Sequence, residues 1–576
     1  MTCRPAMTCR PAMNCRPARR SRRPRAARRA IPLVRLARLA PVAALLWLFA
    51  APAAPACTNL VCSPGATVDG SAFVTYTCDG EFHPILERLA AEDHAPGAMQ
   101  ELRNWSGQVV GQVPYPAHTW AVVNLMNEKQ VALAETTTGG RDELTNPDGL
   151  LHYWQLMRLA LQRASTAREC VEVMGRLVAE HGYRSTGESF CVTDPREAWV
   201  MEMVGPGRGG QGAYWVALRV PDGCISAFAN GGRITTFPKD DPRNCLYSPG
   251  MEEFAKAHGW WRPADGPFDW SRAFHPLTPQ QKRYTATRVW SLFRRAAPSL
   301  RLSPDYHRGV AGAEPYPLFI KPDRKLSLQD VFALMRDHYE GTDYDMSQGL
   351  DAGPWGYPLR TRPMGFAVDG ADYTWERPIS TQQTGFSMVC QSRPGLPDAV
   401  GGVTWYGVDD TDFTCYTPLY CSSLDVPPSF ARGSLRQFSW DSAWWVFNFV
   451  SNYAALRYRD MIVDVHAERD TLEGDALARQ PAVEQAAAAL WRTDPAAAAR
   501  YLTDYSVSHA EDVVTRWRAL GERLLTKYND GYVQSQPGRA EEAGYPEGWL
   551  RAVVGRDPGK LKLPTDAAPA AEPEDY

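Results

Sequence analysis

The sequence predicts an α+β fold in which helices cover antiparallel sheets, and two observations predict it. Strand-prone segments gather on both sides of a pair of helical segments instead of alternating with helices one for one. From about Ser434 onward the composition turns helical, rich first in aromatic and aliphatic residues and then in Ala, Leu, Arg and Glu. With 576 residues, 44% of them hydrophobic, the chain can bury a large core, and a sheet sandwich is the arrangement such strands suit.

The elements follow in order. Residues 1–56 open with a near-repeat (MTCRPA, MTCRPA, MNCRPA), continue through an Arg-rich stretch, and end in an apolar run from Leu39 to Ala50 and a small-residue segment from Ala51 to Ala56. Together these are the charged, hydrophobic and cleavage regions of a secretory signal peptide. The apolar run is too short for a membrane span, so the mature protein is expected to be exported, periplasmic or extracellular, with no stable membrane insertion once the signal is removed. Arg28-Arg29 ahead of Ile31 leaves the Sec and Tat routes both open.

Beyond Cys57, residues 71–77 alternate and read as a strand, and Thr119 to Met126 with Val131 to Thr137 read as a hairpin turning at Asn127 to Gln130. Two helices come next, Leu151 to Ala164 and one opened by Thr166 with Glu169 three residues on and closed near Gly182. Further strands are expected at 198–204, 214–220, 225–229, 385–391 and 403–408. His338 to Pro358 is too polar and turn-rich for a core element and suits a wall or lid over a site. The domain reading is a start and signal segment at 1–56, a catalytic domain at 57–433, a helical section at 434–562 packed on it, and a disordered tail at 563–576.

Charge and cysteines narrow the function. Residues 1–56 hold 12 Arg, no Lys and no acid, which leaves the rest of the chain with 50 basic against 65 acidic residues, a balance of −15. No nucleic-acid partner is expected for so acidic a body. The mature chain has nine cysteines besides Cys57; in an exported protein several could pair, and the odd total leaves one over unless Cys57 joins in. No CxxC pair or HExxH suggests a zinc site, no GxSxG suggests a serine hydrolase, and no metal or organic cofactor is expected.

Ala54-Pro55-Ala56 places the cleavage point directly before Cys57. Thiol and free α-amine would then belong to one residue, and an α-amine with a reference pKa of about 7.7–8.0 can accept the thiol proton, so nucleophile and base coincide. A lipoprotein cysteine or a disulfide partner are the other uses of such a residue, and lipidation would abolish the base.

Downstream, Cys57-Thr58-Asn59-Leu60-Val61, Asp69-Gly70-Ser71 and Asp79 are followed by Gly187-Glu188-Ser189-Phe190 with Asp194, Glu197, Trp199 and Glu202. Then come Ala229-Asn230 with Arg233-Ile234, and Arg377-Pro378-Ile379-Ser380 before Ser387. This ordered set, from Cys57 to Asp464, resembles the dipeptidase family that includes dipeptidase A and the secernins (cysteine peptidase family sixty-nine), among the N-terminal-nucleophile hydrolases.

The resemblance implies a four-layer αββα sandwich with Cys57 at the start of a central strand. It implies that Asp79 positions the nucleophile and its amine, that Asn230 helps bind the tetrahedral oxyanion, and that Arg377 stabilises the thiolate. Many family members carry Arg where this chain has Tyr76, so substrate anchoring or thiolate activation is expected to differ here. Glu135 and Thr136, in the segment ending Gly139-Gly140, are candidates for the pocket, with Glu135 facing a substrate's amino group.

The function expected is therefore an exported cysteine-type dipeptidase acting on short peptides. Two rivals stay open: a non-peptide amidase of the bile-salt hydrolase or penicillin acylase type, and a lipid-anchored binding protein without catalysis. The oligomeric state is not legible from the sequence.

Overall fold

The computed structural model describes residues 56–536 and 538–564, all within one compact unit. The signal segment and most of the expected tail lie outside the described residues.

The fold is mixed α+β, with two large antiparallel sheets. The main strands are β1 Ala56–Cys62, β2 Ala72–Asp79, β3 Arg88–Leu89, β4 Val122–Val123, β5 Met126–Asn127, β6 Ala132–Thr137 and β7 Gly187–Thr193. They continue as β8 Ala198–Val204, β9 Tyr214–Arg219, β10 Ile225–Phe228, β11 Cys245–Tyr247, β12 Thr384–Ser392, β13 Val403–Val408 and β14 Thr417–Tyr420. One sheet has the order β10-β1-β2-β12-β13-β14, and the other has the order β11-β9-β8-β7-β6-β5-β4-β3.

Side-chain alternation sends successive residues to opposite faces of these sheets. Val61, Val74 and Met388 of the first sheet and Ala134, Cys191 and Val200 of the second join one buried cluster. The residues next to them in the strands, Leu60, Phe73 and Val389, face a second cluster with helix α3 (Pro279–Ala296) and helix α4 (Leu328–Met335). On the second sheet Leu133, Val192 and Met201 pack against α1 (Tyr153–Leu161) and α2 (Ala167–His181). Removing apolar area from water at about 25 cal/mol per Å² makes these three clusters the main cohesive force.

Helix α2 begins where the sequence placed it. Thr166 accepts a hydrogen bond from the Glu169 amide at 3.1 Å, and Gly182 ends the helix at φ 76°, a backbone that a side chain disfavours. The C-terminal section contains α5 (Ala443–Ala454), α6 (Tyr458–Trp491) and α7 (Pro495–Lys527); Trp517 of α7 stacks on Phe447 of α5 with ring centres 4.7 Å apart. Among the described residues no helix is long and apolar enough to cross a membrane.

Two expectations are corrected. The strand expected over Thr119 to Met126 is broken at Asn124, whose φ of 53° folds β4 back onto β5. The hairpin with β6 remains, because Asn127 Oδ1 accepts from the amides of Lys129 and Val131. The cysteines do not pair: all ten among the described residues are free thiols. Strand geometry separates them, placing Cys62 and Cys170 in different clusters from Cys191, Cys390 and Cys415.

Candidate active site

Cys57 lies in β1 between β2 and β10. The β1–β2 register pairs Cys57 with Cys78 and Thr58 with Thr77, and threonine hydroxyls complete the ladder. Thr77 Oγ1 accepts from the Thr58 amide at 3.0 Å and Thr75 Oγ1 from the Leu60 amide at 2.8 Å. Alternating threonines in β2 thus supply acceptors that a hydrophobic strand would lack.

The opposite neighbour brings Asn230. Strand β10 pairs Phe228 with Asn59, and continuing that register by two residues sets Asn230 opposite Cys57. Asn230 has a φ of 64°, in the left-handed region Asn tolerates. Its Oδ1 accepts from the Cys57 backbone nitrogen at 3.0 Å, and its Nδ2 donates to the Thr137 carbonyl at 2.8 Å. The turn after it is fixed from β8: Glu202 Oε1 accepts from the Ile234 amide at 2.9 Å, and Oε2 from Trp270 Nε1 at 2.8 Å.

Asp79 and Arg377 form a buried ion pair. Asp79 also accepts from Thr77 Oγ1 at 3.1 Å and from Thr384 Oγ1 at 2.7 Å, so it reaches the Cys57 segment through Thr77. Arg377 Nη1 donates to the Pro378 carbonyl at 2.7 Å, and its own carbonyl accepts from the Tyr339 hydroxyl. Tyr339, at the start of the polar stretch 338–358, is therefore buried beneath the site.

Around the thiol, Cys57 Sγ lies 3.9 Å from the Tyr76 hydroxyl and 3.8 Å from Glu135 Oε1, and that hydroxyl donates to Glu135. Tyr76 thus stands beside the sulfur, its hydroxyl accepting from the thiol and passing its own proton toward Glu135. Thr136 is buried next to Glu135, and its hydroxyl has no hydrogen-bond partner among the described residues.

Three further residues of the site have no role assigned from sequence, although Glu188 and Glu202 belong to the landmark set. Arg288, on the buried face of α3, donates to the Cys57 carbonyl at 2.7 Å, Thr58 Oγ1 at 3.0 Å, the Ala229 carbonyl at 3.0 Å and Asn230 Oδ1 at 2.9 Å. The capping box Thr278–Gln281 with Pro279 at the first position and the apolar rhythm of residues 284–293 mark that helix in the sequence, but neither marks Arg288 as part of a site. Glu188 adjoins Glu135, the two buried carboxyl groups within hydrogen-bond reach of each other. Glu202 was a landmark without a role.

The electrostatics favour a neutral thiol. Burial, then Cys78 and the Glu135 charge, push the Cys57 pKa well above its ordinary value. Burial likewise raises Glu135 and Glu188, and lowers Arg288 to about 10, still charged at neutral pH. A base adjacent to the sulfur is what such a thiol needs to react.

Comparison with known proteins adds an independent line. The sequence pattern of Peptidase family C69 matches residues 102–470, a span that begins downstream of Cys57, Tyr76 and Asp79 and includes Glu135, Asn230 and Arg377. A probable dipeptidase of Latilactobacillus sakei is 25% identical over 495 residues, covering 82% of this chain and 93% of that protein. A probable dipeptidase of Salmonella dublin is 26% identical over 405 residues, covering 66% of this chain and 84% of that protein. A probable dipeptidase A of Streptococcus pyogenes serotype M3 is 24% identical over 445 residues, covering 73% and 88%.

Proposed function

From the premise that the chain belongs to peptidase family C69, we propose that it is an exported cysteine-type dipeptidase of the N-terminal-nucleophile kind, with Cys57 as the first residue of the active form. One observation carries the reading: the Cys57 nitrogen is held at 3.0 Å by Asn230 Oδ1, while the Sγ of the same residue lies between Tyr76 and Glu135. The helices on the outer faces of two stacked sheets support the four-layer αββα arrangement of such hydrolases, and the names of the relatives support a dipeptide substrate.

In the uncleaved chain the Cys57 nitrogen is an amide with no lone pair to offer, so the raised thiol has no base. Cleavage after Ala56 turns it into an amine whose reference pKa, about 7.7–8.0, suits proton transfer near neutrality. The thiol proton passes to that amine, and the thiolate attacks the scissile carbonyl carbon to form a C–S bond. The amine then protonates the leaving nitrogen as the C–N bond breaks, leaving a thioester and a free amino acid. Water, deprotonated by the same amine, adds to the thioester carbonyl; the C–S bond breaks, the ammonium returns its proton to the sulfur, and the acyl residue leaves as the second free amino acid. Arg288 keeps the Cys57 carbonyl and Asn230 in register, while the Arg377–Asp79 pair holds β2 and β12 together beneath them.

The test starts at the mature N-terminus. Intact-mass and terminal-peptide mass spectrometry on exported protein should find unmodified Cys57 in first position, and that form should hydrolyse dipeptides where Cys57→Ala does not. Protein retaining residues before Cys57 should be inactive until processed. A diacylglyceryl-modified Cys57 would favour the binding-protein alternative, and cleavage of N-acyl amides in preference to dipeptides would favour the acylase.

A further inference from the structure

The β1–β2 register sets Cys78 directly opposite Cys57, so the separation that holds most of the cysteines apart does not apply to these two. Opposite residues of an antiparallel pair have Cα atoms about 4.5–5.5 Å apart and side chains on the same face. A disulfide spans roughly 4.4–6.8 Å between Cα atoms, so this register puts the two thiols within bonding range without backbone movement. Both lie on the inter-sheet face: Cys57 belongs to the cluster between the sheets, and Cys78 packs against it. The Cys78 thiol is close enough to act on the Cys57 sulfur, since it helps to push that thiol's pKa up.

The two sulfurs differ in exposure and in activation. Cys57 is 1% exposed, whereas Cys78 is half-buried; among the described cysteines, Cys78 and Cys224 alone reach solvent in part. A reagent arriving from solvent therefore meets Cys78 first. Cys57, for its part, carries its own α-amine in the mature chain, at the nitrogen held 3.0 Å from Asn230 Oδ1. Exposure at one thiol and a base at the other are the two requirements of a thiol pair that is entered by exchange and then closed.

We propose that Cys78 is a site of reversible oxidation by small aliphatic disulfides, and that the product, a Cys57–Cys78 disulfide, arrests the enzyme. The assignment rests on Cys57 being the N-terminal nucleophile and adds a control to it. In the first step the Cys78 sulfur attacks the small disulfide, whose S–S bond breaks; one half stays on Cys78 and the other leaves as a thiol with the Cys78 proton. In the second, the Cys57 α-amine takes the Cys57 thiol proton, and the thiolate attacks the Cys78 sulfur of the mixed disulfide. The second small thiol leaves with that proton. The net change oxidises two protein thiols and reduces one small disulfide to two thiols. With its sulfur bonded to Cys78, Cys57 cannot attack a carbonyl, and excess small thiol reverses both steps.

Mature protein would be treated with 2-hydroxyethyl disulfide, alkylated and mapped by mass spectrometry, with dipeptide turnover followed in parallel. Wild type should lose turnover in step with a linked Cys57–Cys78 peptide and a mass lower by two hydrogens, and dithiothreitol should restore it. Cys78→Ser should keep, relative to its own untreated rate, the turnover that the wild type loses. Cys57→Ala cannot complete the second step and should hold one hydroxyethylthio adduct at Cys78, a readout independent of catalysis. Absence of the linked peptide, no adduct in Cys57→Ala, or arrest of Cys78→Ser at the wild-type rate would overturn the switch and leave the nucleophile untouched. Turnover that survives complete linkage would overturn Cys57 as nucleophile and the switch with it. A linked peptide in a protein that hydrolyses no dipeptide before or after reduction would overturn the dipeptidase reading and keep the disulfide.

Discussion

Asn230 Oδ1 lies 3.0 Å from the Cys57 nitrogen, and the other end of the same side chain donates to Thr137 at 2.8 Å. The two contacts fix the amide's orientation, since only its oxygen can accept from the nitrogen and from Arg288 Nη2 at 2.9 Å. In the mature enzyme that oxygen would hold the α-amine with its lone pair directed away from the acceptor. The resemblance implies an oxyanion role for Asn230, whereas its oxygen meets the Cys57 nitrogen and its amide donor is engaged by the Thr137 carbonyl.

Asn230→Ala should therefore lower kcat by about 10²-fold or more, the penalty for a displaced reacting group. Asn230→Asp, which keeps the acceptor and loses the donor, separates the two uses. If holding the amine is what matters, Asn230→Asp retains more activity than Asn230→Ala in steady-state assays of mature protein. If oxyanion donation dominates, the two variants are equally impaired.

Arg288 gives the second prediction. Its guanidinium ties β1, β10 and Asn230 together through four acceptors, and a Lys ammonium cannot match that planar fork. Arg288→Lys should lower stability by about 1–3 kcal/mol in urea unfolding, because buried acceptors are left unmet. It should also reduce kcat more than it raises KM. A variant with unchanged stability and kcat would show that α3 does not position the nucleophile.

Glu135 supports a third. Its Oε1 lies 3.8 Å from the sulfur and accepts from Tyr76, and its carboxyl adjoins that of Glu188. Glu135→Gln should raise KM for dipeptides, reducing kcat/KM by roughly 10–100-fold, the scale of one buried charged contact. N-acetylated dipeptides, lacking the ammonium, should be poor substrates for both proteins. If the variant cleaves free and acetylated dipeptides as the wild type does, Glu135 does not read the amine.

Much of this was legible in the sequence. The strands at 198–204 and 403–408 and the Thr166–Gly182 helix follow from local pattern alone, since their apolar periodicity, cap and terminator agree. Asn230 and Cys57 could be named as candidates, yet their contact depends on the β1–β10 register, which joins residues 173 apart in sequence. Arg288 was hidden for a related reason. A charged residue in an apolar helical rhythm reads as a boundary of the buried face, and only the tertiary placement of α3 shows that it enters the core. The break at Asn124 was missed because β-propensity from Thr119 to Met126 is continuous, while the left-handed turn is set by pairing with β5.

The last prediction concerns pH. Asp409, with a φ of 67°, follows β13 and meets α5, accepting from Asn448 Nδ2 at 2.9 Å and from the Ser451 hydroxyl at 2.5 Å. Burial pushes its pKa up to about 7, and no cation is paired with it among the described residues. The folded chain then keeps a proton that the unfolded chain, titrating near 4, has already released. Fewer protons on the unfolded state means that stability falls as pH rises across that window, from about 4 to about 7. The full effect is on the order of 4 kcal/mol. Asp409→Asn carries no ionisable group there, so it should be at or below wild-type stability at pH 5 and above it at pH 8. Urea unfolding of both proteins at the two pH values measures the difference, and a stability gap unchanged between pH 5 and pH 8 would show that Asp409 is already ionised in the native state.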